Sequence, residues 1–591
     1  MRKTDVQTAS DREIMMQTCV RAEGRDLSEC GNDSSGMADA QWWRSSVVYQ
    51  IYPKSFADSD GDGVGDLRGV IGKLDYLQWL GVNVIWLSPF FVSPMVDNGY
   101  DIADYYHVDP LFGTNEDFDE LVRQAHARGI RVLCDLVINH CSDQHEWFKK
   151  ACNDPFSDEH GYFIIRHKNQ LNNWRSVFGG SVWEPMPGNP DEYYMHVFAK
   201  EQPDLNWENP RLRHELYRMI NYWLDHGVDG FRVDAITYIK KDQRFESFPA
   251  DGPDGLVGVA VGSSNQPGIG AFLTEMRQEV FDRRGCLTVA EASDVPYEQL
   301  RDYAGPDGFF SMIFEFHYQD PYVDPDNLAW YAVRPWSVEE WKALVFKAQR
   351  EQQRLGVWSP THLECHDSAR SISRLLPEAT YESVTMLATL FFLLRGTPFI
   401  YQGQELGMGN ATIDDIDQFD DVFTHDQYRV ALEAGLSEQD AFRVVSFRSR
   451  DNARTPMQWT PGEHAGFTEG QPWLPINRDW QKTNVEVESD DDTSVLWYYK
   501  RLIALRMDPR WSSSLSEGLC TPVFEQKENV VAYDRVGADG SVVRVLCNFQ
   551  HESVSVSLDD KIRVLLSNVG REGTLSGDTL MLEPYEAIVL A

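Results

Sequence analysis

Acids and histidines recur in this 591-residue chain at the ends of short β-branched runs. Asp135-Leu-Val-Ile-Asn139-His140, Gly230-Phe-Arg232-Val-Asp234, Thr288-Val-Ala-Glu291 and Glu364-Cys-His366-Asp367 each close such a run. One Asp at a strand end is ordinarily a helix cap or a turn residue. Several acids and histidines on one rim are harder to explain as caps, and no nucleophilic Ser or Cys motif accompanies them. Cleavage of a glycosidic bond would use this set. One carboxylic acid protonates the leaving oxygen, while a second carboxylate attacks the carbon or activates water. A third acid can orient sugar hydroxyls. The 18 Trp, 24 Tyr and 30 Phe suit stacking on sugar faces, although most aromatic side chains simply fill cores.

Composition narrows the partners. The chain has 54 Lys and Arg against 92 Asp and Glu, a formal charge of −38. Such a surface repels phosphate backbones and argues against nucleic acid, while uncharged small substrates remain open. The longest mostly apolar run, Val384 to Leu394, is too short for a bilayer, which needs about 20 residues. Nine cysteines without CxxC spacing suggest neither a zinc knuckle nor a disulfide framework. Free thiols in a reducing compartment, hence a cytoplasmic location, are the expectation.

The elements that must position these acids are legible as a rhythm. Short β-branched runs alternate with helical patterns of about a dozen residues from Ser46 onward, which argues for βα units and a parallel sheet. The predicted strands are Val47–Tyr52, Val82–Ser88, Arg131–Asn139, Val228–Ala235, Leu287–Glu291, Phe309–Glu315, Thr361–Glu364 and Pro398–Tyr401. Between them, Thr114-x-x-Asp117 reads as a capping box and Asn209-Pro210 as a helix start. Eight strands with interposed helices predict an α/β fold, a (β/α)8 TIM barrel, whose function sits at the C-terminal strand ends. The expected division is 1–36 as a disordered tail, 41–140 as the first part of the barrel, 141–207 as an inserted small subdomain, 208–510 as the rest of the barrel, and 511–591 as a separate C-terminal antiparallel β domain. The stretch of about 404–475 reads as an acidic, irregular insertion. Residues 1–36 lack the apolar core of a secretory signal, and translation starting at Met37 is the alternative.

Val47-Val-Tyr-Gln-Ile-Tyr-Pro-Lys-Ser-Phe56, Asp135 to His140, Gly230 to Asp234, Glu291, His366-Asp367 and Gly396-Thr-Pro-Phe-Ile-Tyr-Gln-Gly-Gln-Glu-Leu-Gly407 together resemble the ordered motifs of the α-amylase family, glycoside hydrolase family 13. Gln202-Pro-Asp-Leu-Asn206 is similar to the marker of its oligo-1,6-glucosidase subfamily. The resemblance implies a barrel with a B domain after strand three and a C-terminal β-sandwich. It implies Asp234 as nucleophile, Glu291 as general acid/base and Asp367 as the carboxylate that grips sugar hydroxyls. Arg232 would keep Asp234 ionised, and His140 and His366 would donate to the bound glucose. Asp97-Asn-Gly-Tyr100 looks like the motif whose Asp binds the non-reducing glucose and whose Tyr stacks beneath it. Arg454 resembles the arginine that pairs with that Asp, closing the pocket to longer chains. Phe178 and Phe198 are further pocket candidates.

The activity so implied is a retaining, exo-acting α-glucosidase on short α-1,6- or α-1,4-linked gluco-oligosaccharides, a monomer or weak homo-oligomer. A sucrose isomerase or transglucosylase of the same family is the alternative. The Arg-Leu-Asp-Arg-Asp loop of sucrose isomerisation is not seen, and Phe316-His-Tyr-Gln-Asp320 stands in that stretch. A catalytically inactive barrel serving as a partner protein is a remote third reading. The family pattern is departed from at Cys365, usually Asn, at Ser368-Ala369, and at Ala290, usually Gly, so the loop around Asp367 is expected to be set differently. Ala235 follows the nucleophile where α-1,6-specific members commonly carry Val, which argues against strict α-1,6 specificity. Separately, Asp58, Asp60, Asp62 and Asp66 with the carbonyl of Val64 match positions of a calcium loop, but Gly69 stands where an EF-hand needs its bidentate Glu. A structural Ca2+, with Mg2+ as the alternative, is expected there and no organic cofactor.

Overall fold

The computed structural model describes residues 41–591 except 253, 294, 325–328 and 559–560. The expected tail 1–36, with Cys19 and Cys30, lies outside the described residues. The eight barrel strands are β1 (Val48–Ile51), β2 (Val84–Leu87), β3 (Arg131–Leu136), β4 (Gly230–Val233), β5 (Leu287–Ala290), β6 (Met312–Ile313), β7 (Pro360–Thr361) and β8 (Thr397–Tyr401). Their hydrogen-bonded order is β6-β5-β4-β3-β2-β1-β8-β7, all parallel. Ile313 N–H donates to Trp358 O at 3.4 Å and closes the circle between β6 and β7. Every residue of β1, β2, β4, β5 and β8 is buried. Burial on both faces is why these strands read as continuous apolar runs. At Gly230 a Cβ would stand 2.1 Å from Leu287 O, so only glycine lets β4 and β5 approach here.

Except for β8, which begins one residue earlier than expected, the strands are shorter than the apolar runs that announced them. β3 ends at Leu136 and leaves Val137 to His140 as a loop, and β4 ends at Val233. The sharpest reductions are β6 and β7, two residues each. Side-chain hydrogen bonds take over where the ladder stops. The buried Glu364 carboxylate accepts from Arg370 at 3.0 Å and from the Ser371 hydroxyl at 2.6 Å, fixing the loop after β7.

Helix α1 (Asn115–Ala127) starts on the reciprocal Thr114/Asp117 capping box and buries Phe118, Leu121, Val122 and Ala125. Helix α2 (Pro210–Asp225) starts on Asn209, with Pro210 supplying no N–H where none is needed, and buries Leu212, Leu216, Met219, Ile220 and Trp223. Each such side chain contributes about 1.5–3 kcal/mol by leaving water. Further barrel helices are α3 (Val338–Leu355) and α4 (Tyr381–Phe392).

After β3 the chain forms a small antiparallel sheet of Ile165–His167, Asn189–Met195 and Trp183–Met186. Its core of Trp174, Trp183, Met195 and Val197 also takes in Phe245, Val257 and Val259 from the segment after β4. Beyond β8 the chain is not irregular as expected. Asp421 caps α5 (Val422–Glu433) and Ser437 caps α6 (Glu438–Arg448), and a short turn α7 (Asp451–Arg454) follows. These helices bury few apolar side chains, Ala431 in one and Ala441, Val444 and Val445 in the other, so their sequence carries only a faint helical stripe.

The C-terminal region is a six-stranded antiparallel sheet with a two-stranded partner. Alternation sorts its faces. Val531, Tyr533, Val545 and Val589 join the barrel core, whereas Val530, Ala532, Leu546 and Ile588 pack with Val556 and Leu582 of the small sheet.

Candidate active site

A cavity of about 260 Å³ opens at the C-terminal ends of the barrel strands. Asp234 reaches it because β4 stops one residue earlier and the next residue, Ala235, adopts a left-handed conformation with φ of 43°. This break turns both Asp234 and Ala235 toward the pocket, where regular alternation would have hidden one of them. A non-glycine residue in that conformation is strained and is held by its neighbours. Ala235 N–H donates to Glu291 Oε2 at 2.8 Å.

One guanidinium organises the acids. Arg232, buried on β4, donates to Asp135 Oδ1 at 2.7 Å and Asp234 Oδ1 at 2.6 Å, and its other terminal nitrogen stands 2.9 Å from Glu291 Oε2. Asp135 also accepts from Trp86 Nε1 and the Tyr100 hydroxyl, which fixes Arg232 from below. Burial raises the Asp234 carboxyl well above its ordinary value; Arg232 pulls it down, but Glu291, Asp135 and Asp367 push it further up. Protons in such a coupled cluster belong to the cluster as a whole rather than to one carboxyl.

Asp367 stands across the cavity with its side chain a third exposed. Burial works to raise its carboxyl, yet His366, Arg450 and Arg454 outweigh this and hold it well below the usual carboxylate range. His366 Nε2 lies 2.9 Å from Asp367 and 2.5 Å from the Tyr100 hydroxyl, and its ring stacks on Tyr100 at 5.2 Å between centroids. Gln50, at the end of β1, meets His366 Nδ1 at 2.7 Å.

The inner end is closed by charge. Asp97-Asn98-Gly99-Tyr100 is a turn with φ above zero at both central residues, closed by Tyr100 N–H on Asp97 O at 3.1 Å. Asn-Gly is the pair that such a turn favours, and it presents Asp97 and Tyr100 to the same cavity. Asp101 accepts from the backbone of Val96 and Asp97 and holds the turn. Burial pushes its own carboxyl up to about 6. Asp97 pairs with Arg450 at 2.9 Å, and Arg450 also grips Asp421 at 2.5 Å. This corrects the expected partner. Arg454 lies one turn further along and instead donates to Asp367 at 3.1 Å and to His366 O at 2.9 Å. His140, also in the lining, meets Gln202 at 3.2 Å, and Gln202 donates to Asp97 at 3.1 Å. Burial lowers the His140 imidazole below its ordinary value, with Asp204 and Asp97 opposing the fall.

Phe178 and Phe198 both line the cavity, 5.8 Å apart at their centroids. Phe178 also packs on Phe423 of α5. The rest of the lining includes Val177, Ala235, Tyr238, Ser293 and Phe423, none of them charged, with Val177 the exposed one among these.

The acidic loop folds around itself. Asp58 accepts from the backbone N–H of Asp60, Gly61 and Gly63, and Asp66 accepts from Ser59 and caps the helix Leu67–Gly72. Carboxylate oxygens of Asp58, Asp60 and Asp66 lie within 4.8 Å of one another. Asp62 is not in that group, and it accepts from Val64 N–H at 2.8 Å. Three converging carboxylates are a hard-oxygen donor set and fit Ca2+ or Mg2+ better than a softer ion.

The α-amylase catalytic-domain model matches residues 50–514. The chain belongs to the α-amylase family. Over 565 residues it is 40% identical to an oligo-1,6-glucosidase of Parageobacillus thermoglucosidasius, covering 93% of this chain and 98% of that one. It is also 40% identical to a trehalose-6-phosphate hydrolase of Bacillus subtilis, covering 93% and 98%. The isomaltulose synthase from Klebsiella sp. LX3 superposes with a TM-score of 0.87 at 35% identity, covering 93% and 99%. The protein is thus a glycoside hydrolase family 13 enzyme whose similar proteins differ in substrate.

Within this α-amylase-family site, the sequence left several residues without a role. Arg450 stands four residues before Arg454, and only the geometry of α7 decides which of them meets Asp97. Gln202 stood in the subfamily marker without a task. Gln50 and Asp135 stood inside the family-like motifs without a task, and Tyr238 and Phe423 carried no signal beyond being aromatic. Cys365 sits beside the catalytic loop: Asp367 N–H points at its Sγ at 3.5 Å, and Ser368 Oγ accepts from Cys365 N–H at 3.1 Å. Burial pushes this thiol up to about 12.

Proposed function

We propose that the enzyme is a retaining, exo-acting α-glucosidase that releases glucose from the non-reducing end of short α-1,6- and α-1,4-linked gluco-oligosaccharides. The observation that carries this reading is the asymmetry of the cavity. Asp97, paired with Arg450, which also grips Asp421, lines one wall of it, and we read this charged wall as the end that stops a longer chain.

In this reading Asp234 attacks the anomeric carbon as Glu291 protonates the leaving oxygen, and water then releases glucose with Glu291 acting as base. Arg232 bridging both carboxyls favours the spacing of about 5–5.5 Å that direct attack requires. Ion-paired Asp367 accepts from sugar hydroxyls, and its charge-assisted hydrogen bonds can strengthen as the ring distorts. Tyr100 supports the ring from the floor formed with His366. The acidic loop binds Ca2+ or Mg2+ through Asp58, Asp60 and Asp66, with a structural role.

A phosphorylated disaccharide is disfavoured. Among the described lining residues the one cation is Arg450, already spent on Asp97, Asp421 and Asp367, while four carboxylates face the space. A phosphate would need an unspent cation. Glucose release from isomaltose, maltose, sucrose, panose and trehalose 6-phosphate, compared side by side, tests the reading. Isomaltose and maltose should lead. Exclusive use of trehalose 6-phosphate, or conversion of sucrose to an isomer without free glucose, would overturn it.

A further inference from the structure

Cys365, where the family usually carries Asn, does more than fill space. Its sulfur, a nitrogen of His366 and a carboxylate oxygen of Asp367 all lie within 4.8 Å of one another. These three consecutive residues follow β7 in a loop pinned by Ser368 on Cys365 and by Arg370 and Ser371 on Glu364. The set is therefore preorganised. His366 is fully buried, Cys365 is half-buried, and Asp367 opens into the cavity, so an ion entering from solvent meets the carboxylate first. Its chemistry differs from that of the acidic loop: a sulfur, an imidazole nitrogen and one oxygen select a borderline-soft cation and reject Ca2+ and Mg2+.

We propose that Cys365, His366 and Asp367 form an inhibitory site for a borderline-soft divalent cation such as Zn2+, placed where the sugar would bind. Binding replaces the Cys365 S–H bond with a metal–sulfur bond and releases that proton to solvent. Gln50, 2.7 Å from His366 Nδ1, fixes which ring nitrogen carries the proton. In the structure the Gln50 amide nitrogen faces Nδ1, so for Nε2 to ligate the ring proton moves to Nδ1 and the Gln50 amide turns to accept it through its carbonyl oxygen. Asp367 gives an oxygen to the metal instead of to the glucose hydroxyls, and cation and sugar exclude each other. The inhibitory effect rests on the proposed glucosidase reading, whereas the binding itself does not.

The test therefore reads binding and activity separately on the full chain. Zn2+ is titrated calorimetrically into wild type, Cys365→Ser and Cys365→Asn after removal of metals, and Mg2+ is titrated as a control. Wild type should bind one Zn2+ at least tenfold more tightly than either variant binds at that site, and 1-deoxynojirimycin should displace it. In parallel, Zn2+ should inhibit hydrolysis of 4-nitrophenyl α-glucoside competitively in wild type, with an inhibition constant at least tenfold higher in the variants. Each protein is compared with its own metal-free rate. Equal Zn2+ affinity in wild type and both variants would overturn the proposal, as would inhibition that excess substrate does not relieve. Loss of the glucosidase reading alone would show as Cys365-dependent Zn2+ binding without glucoside turnover.

Discussion

The two ends of the cavity are built from opposite materials. At the inner end, Asp97, Arg450, Asp421, Asp367 and Arg454 form one ion-paired network, largely buried, in which Asp421 also accepts from the backbone N–H of Phe423 and Thr424. At the mouth, Val177, Ala235, Tyr238 and Phe423 offer apolar and aromatic surface with few fixed polar contacts. The difference teaches where discrimination can be strong. A buried group left unpaired by a wrong sugar costs several kcal/mol, whereas a missing methyl at an apolar mouth costs about 1–3 kcal/mol. On the proposed glucosidase reading, charge would set the identity of the first sugar, and shape would only bias the linkage to the second.

The comparison breaks most visibly at Arg450. Arg450→Met strands Asp97 and Asp421 in low dielectric, a loss of about 3–5 kcal/mol for a broken buried pair. We predict a fall in kcat/KM for isomaltose of at least ~100-fold, carried mainly by KM, with a lower Tm. An unchanged KM would detach the clamp from sugar binding. Arg454→Met should act differently, reducing kcat as Asp367 loses its fixed partner.

Arg232→Gln sharpens the comparison through pH. Asp234 must be ionised to attack, so activity is present above its folded pKa and lost as pH falls through it. Burial has already raised that value, and Arg232 is the cation opposing the rise. Removing it should therefore move the acid limb of kcat/KM to higher pH, by about one unit or more, along with a large loss of rate. An acid limb that stays in place or moves down would contradict the assigned role.

The sequence made the barrel readable because fully buried parallel strands must be apolar throughout, and capping boxes such as Thr114/Asp117 mark where helices begin. It made Asp234, Glu291 and Asp367 readable because motif order survives whatever the loops do. It could not show that Arg450 rather than Arg454 meets Asp97. Two arginines four residues apart are equivalent until a short helical turn aims them. Helices α5 and α6 escaped notice for a related reason: they lean on the rim with narrow apolar faces, so no strong 3.6-residue period exists to be seen. That Ala235 faces the cavity at all depends on the break after Val233 and its own left-handed backbone, which no residue pattern announces.

At the mouth, Ala235→Val should shift the ratio of kcat/KM for isomaltose over maltose upward by about tenfold, within the limit for small apolar changes. An unchanged ratio would move linkage control to other mouth residues. The smallest effect is expected furthest from both ends. A chelator, or Asp60→Asn, should lower Tm by a few degrees without changing product configuration, because an ion bound only to the native state stabilises it by mass action. Asp62→Asn should do less, since its carboxylate does not join the other three.

The central claim is that Asp234 forms a covalent glucosyl bond and that the configuration is retained. NMR observation of the anomer released in the first moments of isomaltose hydrolysis tests it most directly, before mutarotation blurs the signal. The account predicts that α-glucose is formed first, whereas initial release of β-glucose would mean that water, not Asp234, attacks the sugar.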